Sequence, residues 1–221
     1  MKKSNNQQYL CYGLGILILS LGISFTIQSH LGTSPFDALL IGLSMEIGLT
    51  VGSWEIILAF IIIMCNSLLK RHRPEYLGLV SAVLTGIGID LWLFFLGHFI
   101  TPEIWFSKLL CFGVGLVLIG FGTAIYLHTN FAPIPVDQLM LIIRTLTKTN
   151  ILFSRTLIYL LFLIMATIFN GPIGVGTVLT VCLGGPILNY FMPIIERRLS
   201  STFSANTESL PKIDVDRSHS V

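Results

Sequence analysis

The chain has 221 residues, 53% of them apolar and only 11% charged, with a formal net charge of +2 and a mean hydropathy of +0.83. A soluble domain carries about 25% charged residues to cover its outside, so this composition excludes a soluble enzyme, a nucleic-acid binder with a basic face and a disulfide-stapled secreted module. An integral membrane protein remains.

The chain opens Met1-Lys2-Lys3, and the apolar run after it, about 9–28, outlasts the about 7–15 residues of a signal-peptide core. It ends in Gln28-Ser29-His30, with no small-x-small cleavage site, and reads as a retained first transmembrane helix. A helix needs about 20 apolar residues to cross about 30 Å of hydrocarbon. Five further segments qualify, about 52–69, 76–99, 106–127, 151–169 and 174–195. Two shorter stretches, about 35–48 and 135–148, are too short to span and too apolar to sit in water. From about 199 to 221 the chain is polar and aperiodic, the pattern of a disordered cytoplasmic tail.

Basic residues fall at Lys2 and Lys3, at Lys70, Arg71 and Arg73, at Arg144, Lys148 and Arg155, and at Arg197, Arg198, Lys212 and Arg217. Only Lys108 is left for the other side. Six crossings place every cluster on one face, so the positive-inside rule puts both termini in the cytoplasm. Trp54, Trp92 and Trp105 then fall near the opposite face, as an interfacial belt requires.

Aligning residue n with n+100 brings the first half of the chain onto the second. Leu10, Cys11, Gly13, Gly15, Gly22, Pro35, Asp37 and Leu39 all recur, eight identities in the ungapped window 9–39. With a one-residue adjustment, Gly86-Ile-Gly-Ile-Asp90 matches Gly185-Pro-Ile-Leu-Asn189. The expected fold is therefore all-α: a first repeat over 1–100 and a second over 101–198, each with three spans and a short re-entrant or interfacial half-helix. An odd number of spans per half inverts one half relative to the other, an architecture recurrent in secondary transporters. The competing topology counts 35–49 and 135–149 as spans, giving eight crossings and parallel repeats. It buries Asp37, Glu46, Asp137, Arg144 and Lys148 in about 15-residue segments and sends Lys70 to Arg73 outside.

Both short segments start like helices. Ser34 suits the N-cap, Pro35 the first helical position and Asp37 the third, where a carboxylate serves free N–H groups and the positive end of the dipole. Pro135 and Asp137 repeat the pattern. Such segments are tolerated at membrane depth only where protein or a wet cavity surrounds them. Paired in two inverted halves, they point to a binding site. Two readings stay open: a helix cap alone, or a cap that also lines a site.

Asp90 lies about 15 residues, or about 22 Å, into the third span. An acid there costs about 2.5–3.5 kcal/mol, so it needs a partner or a proton. It is either a proton or cation site or a protonated polar contact to a helix backbone, and its counterpart Asn189 cannot titrate. The candidate pathway residues are Asp90, Asn189, Asp37, Asp137, Ser34, Pro35 and Pro135. The paired glycines read as close-packing positions, His30 and His128 as interfacial residues, Arg155 as a snorkelling side chain, and Cys11, Cys65, Cys111 and Cys182 as packing residues.

Leu31-Gly-Thr-Ser-Pro-Phe-Asp37, Leu49-Thr-Val-Gly-Ser-Trp54 and the Gly86 to Asp90 helix resemble the YczE/YyaS/YitT family of bacterial integral membrane proteins, the YczE branch most. The resemblance reaches to about residue 195 and implies a bacterial cytoplasmic membrane. Where that family is expected to carry Pro after the Gly of the third helix, Ile87 stands here, while Gly185-Pro186 keeps it in the sixth.

Two function classes follow: a small transporter with its site between inverted repeats, or a non-transporting scaffold or regulatory subunit that contacts a partner through its basic loops and tail. No catalytic set, cofactor motif or metal constellation appears, so neither enzyme activity nor a cofactor is expected. The expected partners are the lipid bilayer and a small solute or ion, with a homodimer left open and no nucleic acid.

Overall fold

The computed structural model describes residues 2–71, 73–100, 102–129, 131–148 and 151–208. These form helices throughout: α1 (Lys2–Gln28), α2 (Pro35–Ile47), α3 (Val51–Lys70), α4 (Leu77–Phe99), α5 (Trp105–Thr129), α6 (Pro135–Thr147), α7 (Ile151–Ile168) and α8 (Val175–Glu208). The all-α expectation holds, and helix ends fall within a few residues of those expected except at the start of α1, which lies at Lys2 rather than about 9, and at the end of α8. That helix runs on to Glu208, past the expected start of the tail at 199, and residues 209–221 lie outside the described residues.

Among the described residues, five helices are long and apolar enough to cross a membrane: α1 over Gln8–Gln28, α3, α4, α5, and α8 over Val175–Arg198. The expected sixth span, α7, has a shorter apolar stretch, Phe153–Ile168. The helix ends in a strong stop. Asn170 turns left-handed at φ 52°, and the Gly171 N–H reaches back to the Ala166 carbonyl at 2.8 Å before Pro172. This is the doubled-back end that glycine and proline favour after a helix.

The centre of the molecule is the crossing of α1 and α5, where close approach depends on glycine. A Cβ on Gly22 would lie 2.6 Å from the Ile119 nitrogen and 2.7 Å from the Gly115 oxygen, and one on Gly122 would lie 2.5 Å from the Leu19 nitrogen and 2.7 Å from the Gly15 oxygen. Gly15 thus faces Gly122 while Gly22 faces Gly115, so the two helices run antiparallel with backbones in contact. Small residues at such spacing allow dispersion contacts that lipid-facing side chains cannot provide. By contrast, a Cβ on Gly13 or Gly113 would meet nothing within 4 Å.

The other helices pack on this pair in matching fashion: α4 on α1 and α8 on α5, α7 on α2 and α3 on α6, α2 against α3 and α6 against α7. One match is weaker. α3 lies along α4, with Gly52 against Gly86, whereas among the described residues α7 has no comparable contact with α8. Around α2 and α6 the packing is closed. Leu39 and Leu43 of α2 share one apolar cluster with Val136 and Met140 of α6, Ile62 of α3 and Phe162 of α7. The first nine residues of α2 are almost wholly buried, so this is an internal helix rather than one lying on a surface.

Candidate functional site

Local sequence sets how each short helix begins. At α2 the Ser34 hydroxyl accepts the Asp37 N–H at 3.2 Å and donates to the Asp37 carboxylate at 2.6 Å, with Pro35 in the first turn. The cap is as expected, except that Asp37 receives the serine hydroxyl and Ser34 serves the backbone N–H. At α6 Ile134 occupies the cap position and provides no side-chain bond. Asp137 instead receives the hydroxyl of Tyr126 from α5. The start of α6 is held from α3, where Asn66 Nδ2 donates to the Pro135 carbonyl at 3.1 Å.

Both first turns face the same space. A cavity of about 490 Å³ is bounded by Ser34, Phe36 and Asp37 of the α2 start, by Ile134, Val136 and Asp137 of the α6 start, and by side chains of the longer helices. Its wall is mainly apolar, with Thr85, Thr123, Thr180 and Asn189 among its polar residues and two pairs of charged groups. Asp37 and Glu55 lie within electrostatic reach of each other, and Asp137 within reach of Arg155. The pairs are linked by Tyr159, which lies within electrostatic reach of both Asp37 and Arg155. The Arg155 guanidinium donates to the Tyr159 hydroxyl from Nε at 3.1 Å and from Nη2 at 2.9 Å, and its carbon sits 5.2 Å from that ring's centre. Arg155 therefore points inward rather than to the headgroups, and its nitrogens approach Gly184 and Gly185 of α8.

Of the candidate residues, Ser34, Asp37, Asp137 and Asn189 line this cavity. Pro35 and Pro135 start the helices behind it and are fully buried. Asp90 is not on the wall. Its carboxylate accepts the Gly52 N–H at 2.8 Å and the Thr50 hydroxyl at 2.6 Å, so α4 caps the start of α3. Sequence reasoning missed Glu55, Tyr126 and Tyr159 and gave Arg155 another place. The signal was present at the same offset: Glu55 aligns with Arg155, a charge reversal at one register position.

Comparison with known proteins now bears on the family. A family model matches residues 6–193, nearly the whole helical body. The chain belongs to that family, described as a family of unknown function (DUF6198). It is 64% identical over 194 residues to the "Uncharacterized protein YyaS" of Bacillus subtilis (strain 168), covering 88% of this chain and 96% of that protein. It is 37% identical over 196 residues to the "Uncharacterized membrane protein YczE" of the same organism, covering 87% and 89%. The resemblance read from the Gly32 to Asp37 segment is thus a true kinship, with higher identity to YyaS than to the YczE branch. No solved structure matches. With its apolar helices and membrane-protein relative, this DUF6198 member is an integral membrane protein.

Proposed function

We propose that this protein is a small-solute carrier of the bacterial cytoplasmic membrane, built from two inverted three-span halves with both termini in the cytoplasm, and that the cavity is its binding site. The observation that carries the reading is the convergence of the α2 and α6 first turns on one cavity. Helix N-termini aimed at a shared midplane space are how inverted-repeat transporters build a site.

Three further features support it. The antiparallel α1–α5 crossing is what inversion requires, since parallel repeats would set these helices parallel. Packing partners recur between the halves, and the wall includes matched positions, Leu19 with Ile119, Asp37 with Asp137 and Glu55 with Arg155. In this reading α7 is the sixth crossing, and its 18 residues reach about 27 Å against about 30 Å of hydrocarbon. The α2 and α6 hairpins are then re-entrant, satisfied by protein and cavity rather than lipid. The bilayer and a small solute or ion are its partners, and the wall offers binding rather than enzymatic groups.

The sparse α7–α8 contact, made by Arg155 at Gly184 and Gly185, gives such a carrier a loose side on which a half could rock. The test is independent of the solute. With the four native cysteines replaced, a cysteine at Thr123 on the wall reacts with membrane-impermeant thiol reagents from outside in one population and from the cytoplasm in another. Reaction from one side alone, in intact and inverted vesicles and with every solute tried, would remove carriage.

A further inference from the structure

The cavity's two charged pairs are not equivalent, and their difference specifies a ligand class. Arg155 is already engaged: Tyr159 takes two of its N–H groups and offers its ring face, and Asp137 opposes its charge. Asp137 in turn receives the Tyr126 hydroxyl. That group of side chains is internally satisfied.

The Asp37–Glu55 pair is not. Glu55 is only 5% exposed, yet among the described residues no donor bonds its carboxylate, and its near neighbour in charge is another acid, Asp37. Asp37 has the Ser34 hydroxyl and no cation. Three carboxylates and one guanidinium line the cavity, leaving two acids uncompensated. Burying an unpaired carboxylate is costly, and the cost is relieved by a proton or by a positively charged group with N–H donors, which a bound ammonium supplies. The same wall carries Leu19, Ile23, Phe36, Leu116 and Ile119, an apolar surface.

We propose that the cavity binds an organic ammonium compound, its charged nitrogen held between Asp37 and Glu55 and its apolar body against α1 and α5. This rests on the carrier reading and adds the substrate class to it. A bare metal ion fits poorly, because hard cations want about six or more oxygen ligands. Among the described residues, no three His, Cys, Asp or Glu side chains come together as a metal site. The volume, about 490 Å³, lies within the about 300–1,000 Å³ of small-molecule sites.

The test compares three probes of one shape on the purified full chain: 2-phenylethylamine, neutral 2-phenylethanol and anionic 3-phenylpropionate. Binding is read by calorimetry and by the shift in unfolding temperature. The amine is expected to bind and stabilise and the other two are not. Glu55→Gln and Asp37→Asn, each checked for an unchanged unliganded unfolding profile, are expected to weaken amine binding by at least about tenfold. If one variant fails to fold, the other decides. Preference for the acid would place the ligand at Arg155 and overturn the proposal, as would no binding of the amine, or amine binding untouched by the folded variant. Should Thr123 still label from both sides while the amine fails to bind, carriage stands and the ammonium class alone falls. Labelling from one side with the amine bound leaves a binding protein.

Discussion

Glu55 and Arg155, 100 residues apart in the chain, line the same cavity from α3 and α7. One register position of the repeat thus carries an acid in one half and a base in the other. Equivalent positions with different side chains bring opposite charges to a single space, which a site of two identical halves could not do. The asymmetry continues at Asp90 and Asn189: the acid ties α4 to α3, and the amide lines the cavity where α8 stands off from α7.

The α1–α5 crossing gives the clearest stability contrast. Gly122→Ala would set a Cβ 2.5 Å from the Leu19 backbone, whereas Gly13→Ala meets nothing within 4 Å. Overpacking costs about 1–3 kcal/mol, and glycine-to-alanine in an open helix position gains about 0.5–1 kcal/mol. Unfolding in detergent is therefore expected to show Gly122→Ala destabilised and Gly13→Ala unchanged or slightly stabilised.

Asp90 is expected to behave as a cap. Asp90→Ala removes the acceptor of the Gly52 N–H and of the Thr50 hydroxyl, at a cost of about 0.5–2 kcal/mol. Asp90→Asn keeps one carbonyl acceptor and recovers most of this. Unfolding free energies of the two variants check it. Equal losses in both would show that the negative charge itself is needed.

The Tyr126–Asp137 bond lends itself to a double-mutant cycle. Tyr126→Phe leaves the half-buried Asp137 without this donor, a loss of about 1–3 kcal/mol. Adding Asp137→Asn to it is expected to cost less than the sum of the single changes. The coupling should fall in the range of about 0.5–3 kcal/mol seen for contacting residues. Strict additivity would show that the bond contributes nothing.

Much of this fold could be read in the sequence because the repeat preserves what lipid and helix geometry demand. Glycines at 15, 22, 115 and 122 mark the place where the α1 and α5 backbones touch. Ser34-Pro35 marks a helix start that the capping bonds realise. The limits have physical causes too. Depth along a span does not say which way a side chain points, so Asp90 drew attention while its carboxylate faced a helix end. Glu55 sits one turn inside α3, where an acid also suits the interface, and only tertiary packing buries it. Arg155, near the start of α7, is long enough to reach either headgroups or interior, and Tyr159 one turn on draws it inward.

The orientation of the two halves is the claim on which the rest depends. Glu46 and Thr147, exposed near the ends of α2 and α6, discriminate the topologies directly. In a background without native cysteines, single cysteines at these positions are labelled with a membrane-impermeant reagent in intact cells and in inverted vesicles. Inverted halves predict that the cysteine at Glu46 reacts only from outside and the one at Thr147 only from the cytoplasm. Reaction of both from the same side would contradict the account and restore parallel repeats with eight crossings.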